Sequence, residues 1–253
     1  MVDARKQQLL TAGSPTNGVI QLPRAGGRGH TPMTDEYLYT YGVVERADLE
    51  LDVEGVCGAT RAFTVDCGAL SAVVSTVDTL EPAREEANLR AHDDVLRAVM
   101  EDDGGRAVVP MRFGMVFKNH EALENVLREG EHEIAESLES IEGCVELGVK
   151  LVADADAGAD AGTAGPGSAD PDWEALRADA TERLSAVSVR EAEGDLFSDR
   201  LVLNRSYLVE QDDREAFNAA VDAIVDAHGD RLSVQYTGPW APYNFVDIAV
   251  GRA

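Results

Sequence analysis

One segment of low complexity, past the middle of the sequence, divides the chain into two parts. Residues 153–170 contain only Ala, Asp, Gly, Thr, Pro and Ser. Such a stretch lacks large apolar side chains to bury, so we expect a flexible acidic linker. Asp154, Asp156 and Asp160 resemble a calcium loop, but no glutamate follows at the closing position, which favours a solvated linker. The folded parts of the chain must therefore lie on either side of it.

Apolar periodicity before the linker predicts an N-terminal α+β domain over residues 33–152. A hairpin is expected at residues 61–75, because two apolar runs flank a Cys-Gly turn. Two long amphipathic helices are expected at residues 82–101 and 119–141, and a final strand at 144–152. This mixture of hairpins and crossing helices is typical of antiparallel α+β folds.

A helix and a second α+β domain are expected over residues 171–253. Pro171 occupies the first helical position that proline favours. An alternating strand follows at residues 201–209, then a helix at 213–228 and two last strands at 232–236 and 245–250. The predicted fold class is therefore α+β, with two domains of antiparallel sheets and packed helices.

Residues 1–32 differ from the rest of the chain in charge. They carry four basic residues against one acid, so this segment is +3 and the remainder is −28 of the total −25. Glycines and prolines disfavour regular structure there. We interpret the segment either as a disordered tail or as a non-native extension before a start at Met33.

The balance of 47 acidic against 22 basic residues, with only three lysines, is typical of a protein from a high-salt cytoplasm. A cationic partner is the alternative explanation. Nucleic-acid binding is disfavoured because no basic stripe is present. No apolar run reaches the roughly 18–20 residues of a spanning helix, so we expect no membrane insertion and a cytoplasmic location.

Three cysteines, Cys57, Cys67 and Cys144, form neither a disulfide framework nor a zinc motif. They are interpreted as small buried hydrophobic residues. No phosphate loop, Gly-x-Ser-x-Gly elbow or His-Glu-x-x-His motif is present. The sequence therefore predicts no catalytic residues, no metal site and no cofactor.

Three stretches are characteristic in their order and spacing. They are Tyr-Leu-Tyr at residues 37–39, Val-Pro-Met-Arg-Phe-Gly at 109–114 followed by Glu-Leu-Gly-Val-Lys at 146–150, and Thr-Gly-Pro-Trp-Ala-Pro-Tyr-Asn-Phe-Val at 237–246. With these motifs, residues 36–250 resemble the GvpF/GvpL family of gas vesicle proteins. The acidic, lysine-poor composition suits a member from a halophilic archaeon.

The resemblance implies a ferredoxin-like N-terminal domain and a modified ferredoxin-like C-terminal domain. It also implies a non-enzymatic accessory or minor structural protein of the gas vesicle. Such a protein would bind the small hydrophobic shell protein, work with other accessory proteins, and assist nucleation and assembly. The expected location is the gas vesicle and the cytoplasm.

Four residues are candidates for partner binding. Pro239 and Pro242 hold the preceding residues extended, so Trp240, Tyr243 and Phe245 are displayed on a stiff connection. Rigid aromatic side chains suit interface anchors, although packing as a plug between the domains is slightly favoured.

Arg112 is the fourth candidate and lies between Met111 and Phe113. A structural ion pair with an acid such as Glu146 is favoured over a ligand-binding role. His92, on the apolar face of its helix, is interpreted as a core histidine rather than a catalytic base.

Two rival functions remain. A small-molecule-binding regulatory module built from paired ferredoxin-like domains would require a polar pocket containing Arg112. A hydrolase would require a deep cleft with two facing acids.

Overall fold

The computed structural model describes residues 36–102, 105–154, 171–196, 198 and 200–246. The expected N-terminal extension, and the expected linker apart from its first two residues, lie outside these ranges. So do residues 247–250 of the strand expected at 245–250, and its residues 245 and 246 are not in a strand. None of the described helices is long and apolar enough to cross a membrane.

The first sheet uses strands from the first half of the chain. They are β1 (Tyr37–Glu45), β2 (Glu50–Leu51), β3 (Ala62–Cys67), β4 (Leu70–Val77), β5 (Val109–Pro110) and β6 (Val116–Phe117). Their order is β2-β3-β4-β1-β5, and β6 pairs with the start of β1. All these pairs are antiparallel. The predicted hairpin is formed by β3 and β4, which turn at Gly68 with a positive φ of 76°.

Helices cover both faces of the first sheet. They are α1 (Glu86–Glu101), α2 (His120–Glu129) and α3 (Glu131–Ser140). On one face, Val95 and Leu96 of α1 pack with Tyr39 and Tyr41 of β1. On the other face, buried side chains of α2 and α3 pack with those of β1 and β4. Because apolar side chains project from both faces of the sheet, this part of the chain has two cores. Its three layers are α1, the sheet, and α2 with α3.

The single helix predicted at residues 119–141 is wrong in one respect, because it is two helices separated by Gly130. Glycine is a poor helix former and permits the break. The predicted apolar stripe nevertheless faces the core, since all five of its members are buried: Leu123, Leu127, Ile134, Leu138 and Ile141.

The second sheet has the order β10-β7-β9-β8, and all its pairs are antiparallel. In chain order its elements are β7 (Cys144–Ala153), α4 (Pro171–Ser185), β8 (Arg190–Glu193), β9 (Leu201–Glu210), α5 (Arg214–His228) and β10 (Leu232–Trp240). This β-α-β-β-α-β order is that of a ferredoxin-like unit. Apolar residues of α4 and α5 cover one face of the sheet and form its core.

Strand β7 lies in a different sheet from the one expected. The expected N-terminal domain ended at residue 152, but β7 pairs with β9 and β10. Its alternate residues Val145, Leu147 and Val149 are buried among the side chains of α4 and α5, so its apolar face belongs to that core. We therefore place the start of the second part at Cys144, and the division into two domains stays a prediction. The α+β class with antiparallel sheets and packed helices is confirmed.

Candidate partner-binding site

The last residue of β10 and the segment that follows it cross from the second sheet to the first. We call residues 240–246 the C-terminal strap. Trp240 still pairs with Glu146 of β7, after a register shift that begins at Thr237. Ala241 is buried in the core beneath α1, and Tyr243 packs against the same core. The strap therefore ties both sheets together.

Gly238 permits the turn that leads into the strap. Its φ is +116°, and a Cβ there would lie 2.7 Å from the carbonyl oxygen of Glu146. Only glycine tolerates both the positive φ and this close approach of two backbones. A side chain at this position would push the strap away from β7.

Glu146 anchors the strap to the second sheet. Glu146 is only 5% exposed. The carboxylate accepts hydrogen bonds from the backbone N–H of Asn244 at 2.9 Å and from its side-chain amide at 2.6 Å. The same amide donates to Ser206 Oγ at 3.1 Å. A buried carboxylate that receives two hydrogen bonds is satisfied without a cation.

The expected ion pair between Arg112 and Glu146 is therefore wrong. Arg112 is exposed, and its side chain has no hydrogen bond or ion pair with any residue that the structure describes. The Glu146 carboxylate is held by an amide side chain from the strap, which leaves Arg112 directed to solvent.

Tyr243 anchors the strap to the first sheet through His92. The Tyr243 hydroxyl lies 2.9 Å from His92 Nε2, and the Met111 carbonyl oxygen lies 3.1 Å from the same nitrogen. Tyr39 Oη lies 2.8 Å from His92 Nδ1 and accepts from the Gly114 N–H. Because a carbonyl only accepts, Nε2 carries the proton and Nδ1 accepts from Tyr39.

His92 is 2% exposed and stays neutral in this setting. Burial lowers the pKa of His92 to about 4, although the hydrogen bond to the Met111 carbonyl opposes the shift. Burial likewise raises the pKa of Tyr39 and of Tyr243 well above the usual range. The geometry matches the predicted role of a satisfied core histidine.

Phe245 and Trp240 complete the strap. Phe245 is half-buried, and the Arg190 guanidinium lies 5.5 Å from its ring centroid while donating to its carbonyl oxygen. Trp240 is also half-buried. The structure thus gathers Trp240, Tyr243 and Phe245 in one strap, with Arg112 outside it. Partner binding by these four residues stays a proposal.

Sequence reasoning missed a neighbouring surface, the outer side of β10. Residues 232–246 are the longest uncharged run of the described chain, in a protein with 27% charged residues. Within it, residues 235–238 are exposed. Tyr236 is 40% exposed, and Val225 on the adjoining α5 is 44% exposed. The absence of charge over so long a run was the signal that could have revealed this surface.

The cysteines fall in three environments. Cys67 is buried as predicted, but Cys57 is exposed and Cys144 is half-buried. The burial predicted for Cys57 is wrong because this residue lies in a surface turn, with a φ of 59°. All three thiols are free, and no group of His, Cys, Asp and Glu side chains in the described ranges could hold a metal ion.

These features define an α+β protein of two antiparallel sheets clasped by its C-terminal strap. The family model described as gas vesicle synthesis protein GvpL/GvpF matches residues 37–165 and 169–247, and the chain belongs to this family.

Two relatives come from halophilic archaea. Gas vesicle protein F of Haloferax mediterranei is 51% identical over 214 residues, which cover 85% of this chain and 95% of that protein. Gas vesicle protein F2 of Halobacterium salinarum is 52% identical over 220 residues, covering 87% of this chain and 96% of that protein. These sources agree with the acidic, lysine-poor composition.

The fold has been seen before. The crystal structure of the gas vesicle protein GvpF from Anabaena sp. PCC7120 superposes with a TM-score of 0.74 at 20% identity, covering 86% of this chain and 99% of that one. This likeness establishes a common fold. The family membership itself establishes a role connected with gas vesicles.

Proposed function

We propose that this protein binds the small hydrophobic shell protein of the gas vesicle and assists nucleation and assembly of the vesicle. One observation supports the proposal above all: the exposed outer side of β10 is uncharged, whereas the protein as a whole is strongly acidic. An apolar partner avoids the desolvation of charges when it docks there. The remaining surface stays hydrated, because the chain carries −25.

The exposed aromatic side chain on this surface is already ordered. The Tyr236 ring stacks on Phe217 of α5, and its hydroxyl donates to Asn218 Oδ1 at 2.8 Å. A pre-ordered aromatic ring loses little entropy on binding, which suits it to an interface. The C-terminal strap continues from β10, so Trp240 adjoins this surface along the chain.

Two cavities among the described residues bear on the two rival functions. Arg112 does not line a cavity of about 550 Å³ that is lined by acidic and glycine residues with Gln211. An acid-lined cavity of about 210 Å³ beside it contains Arg106, paired with Asp102, and its lining includes no His, Ser or Cys among those residues. Neither cavity contains the Arg112 that the small-molecule module requires. Both are lined by acids, but they are open surface depressions and not the deep cleft that the hydrolase requires.

Co-purification tests the proposal. The protein and the shell protein are expressed together at multimolar salt, and the tagged protein is recovered. We expect the shell protein to remain in the soluble fraction and to co-elute. A folded sample that neither binds nor solubilises the shell protein would contradict the proposal and leave a role through other accessory proteins. Lysozyme carrying the same tag serves as the control for non-specific adsorption.

A further inference from the structure

The free edge of β10 has a defined set of unpaired backbone groups. The N–H of Asp154 donates to the carbonyl of Arg231 at 3.0 Å, which marks that pair as hydrogen-bonded. Hydrogen-bonded and non-bonded pairs alternate along an antiparallel ladder. Ser233, Gln235 and Thr237 therefore bond to β7, in register with Val152, Lys150 and Gly148.

It follows that the backbone N–H and C=O groups of Leu232, Val234 and Tyr236 point away from β7. Within the described chain, β10 is the terminal strand of its sheet, and nothing pairs with this edge. The edge strands of the first sheet, β2 and β5, are two residues long each. A nine-residue strand with an unpaired side is therefore the longest open edge of the described structure.

The opposite edge of the same sheet is protected by charge. The bond from the Gly194 N–H to the Asn204 carbonyl sets the ladder between β8 and β9, so Glu191 and Glu193 present their backbone groups outward. Both carboxylates pair with Arg205. Charged side chains are a common device that prevents unwanted strand pairing. Strand β10 carries no charged residue and lacks this protection.

We propose that an extended, uncharged segment of the hydrophobic shell subunit adds to the second sheet as a fifth strand, along the free edge of β10. This inference rests on the proposed function and specifies how the partner binds. Strand addition satisfies the outward groups of Leu232, Val234 and Tyr236, and main-chain hydrogen bonds supply the affinity. An uncharged occupant is favoured because β10 offers no charge for an ionic partner.

The side chains beside the edge suit such an occupant. Leu232 and Val234 direct their side chains to the core of the second sheet, and the exposed Tyr236 is two residues further along the same face of β10. Alternate residues of an added strand would fall on this same face. Apolar side chains at those positions would cover the Tyr236 ring, which is otherwise partly left in water.

Hydrogen exchange on the purified complex tests the inference without any substitution. We expect the amides of Leu232, Val234 and Tyr236 to exchange at least about tenfold more slowly when the shell protein is bound. Those of Glu191 and Glu193 should not change. A stable complex in which the β10 amides keep their free rates would overturn strand addition while leaving the proposed function intact.

A pair of proline variants provides the matched comparison. Val234→Pro removes one outward N–H of β10 without removing a bond to β7, and proline is tolerated on edge strands. Glu193→Pro makes the same change on the opposite edge. We expect Val234→Pro to weaken shell-protein binding by roughly tenfold and Glu193→Pro to leave it unchanged. Equal binding by both variants would contradict the inference.

The free protein supplies the remaining outcomes. If the β10 amides are already protected, and protection rises with protein concentration together with the molecular mass, the occupant is a second copy of this chain. Protection that is independent of concentration would indicate pairing within the chain. Either result would overturn the inference. Failure of the shell protein to bind at all would contradict the proposed function and, with it, this inference.

Discussion

The carboxylate of Glu146 holds Asn244, 98 residues further along the chain, by two hydrogen bonds of 2.6 and 2.9 Å. One bond comes from the Asn244 backbone and the other from its side chain, so both the position and the orientation of the strap are set. With the contact between Tyr243 and His92, this makes the strap a clasp between the sheets.

Glu146→Gln tests the clasp at its second-sheet end. The variant keeps the shape of the side chain but replaces an acceptor oxygen with a donor that faces the Asn244 amide or backbone N–H. We expect the free energy of unfolding to fall by about 1–3 kcal/mol, measured by urea titration at fixed high salt. Glu129→Gln, at an exposed position of α2, is the control and should change stability by less than about 0.5 kcal/mol.

Tyr243→Phe tests the other end. The ring remains packed against the first core, but the hydroxyl that lies 2.9 Å from His92 Nε2 is lost. We expect a loss of about 1 kcal/mol of stability. Combined with Glu146→Gln, the two changes should be less than additive, because either one releases the strap. Strict additivity would show that the two ends hold independently.

The pH dependence of stability follows from His92. Its pKa is lowered to about 4 in the folded protein from an ordinary value of 6.5, so the unfolded chain binds more protons between these values. Stability is therefore full above pH 6.5 and falls as the pH drops towards 4, with a contribution of roughly 3 kcal/mol.

Denaturant titrations from pH 7 to pH 4 measure this slope. The His92→Leu variant should be less stable at pH 7 but should lose less stability on acidification. The exposed His120→Gln variant should keep the slope of the parent protein. The same slope in His92→Leu as in the parent would argue against a buried, neutral His92.

Gly238→Ala tests the entry to the strap. The new Cβ would meet the Glu146 carbonyl oxygen at 2.7 Å and would sit at a φ of +116°. Gly143→Ala is a matched control, because Gly143 also has a positive φ but no atom within 4 Å of the added Cβ. We expect the control to lose about 1–2 kcal/mol from backbone strain alone. Gly238→Ala should lose distinctly more, as measured by thermal unfolding.

Trp240→Ala addresses the role proposed for the strap aromatics. We expect binding of the shell protein to weaken while the variant stays folded, because Trp240 is half-buried at the surface end of the strap. Co-purification yield and circular dichroism are measured on the same sample. Unfolding without a separate effect on binding would instead support a packing role for this residue.

The local patterns of the sequence were sufficient for much of the architecture. The apolar stripes of α2 and α3, the hairpin of β3 and β4, and the α+β class could all be predicted, because periodicity reports which side of an element is buried. The break at Gly130 was missed because the apolar stripe keeps the same helical spacing before and after it, so the stripe gives no sign of the break. The exposure of Cys57 was missed because cysteine is usually buried, and the residue type alone does not show that this position lies in a surface turn.

The candidate site was less predictable. Proline spacing indicated a stiff aromatic segment, but it could not show that Glu146 would bind Asn244 rather than Arg112. That choice depends on two chain segments meeting after both sheets have formed. Similarly, the free edge of β10 depends on strand order, and strand order is not encoded in the alternation of any single strand.

The sequence alone determined most of the helices and strands, the acidic character and the resemblance to the gas vesicle family, since these depend on residue type and local spacing. The tertiary structure decided that β7 joins the second sheet, that the strap clasps both sheets, and that β10 is left with an open edge. The physical reason is that these features arise from hydrogen bonds and burial between residues far apart in the chain. Such pairings form only where the whole fold brings their partners together.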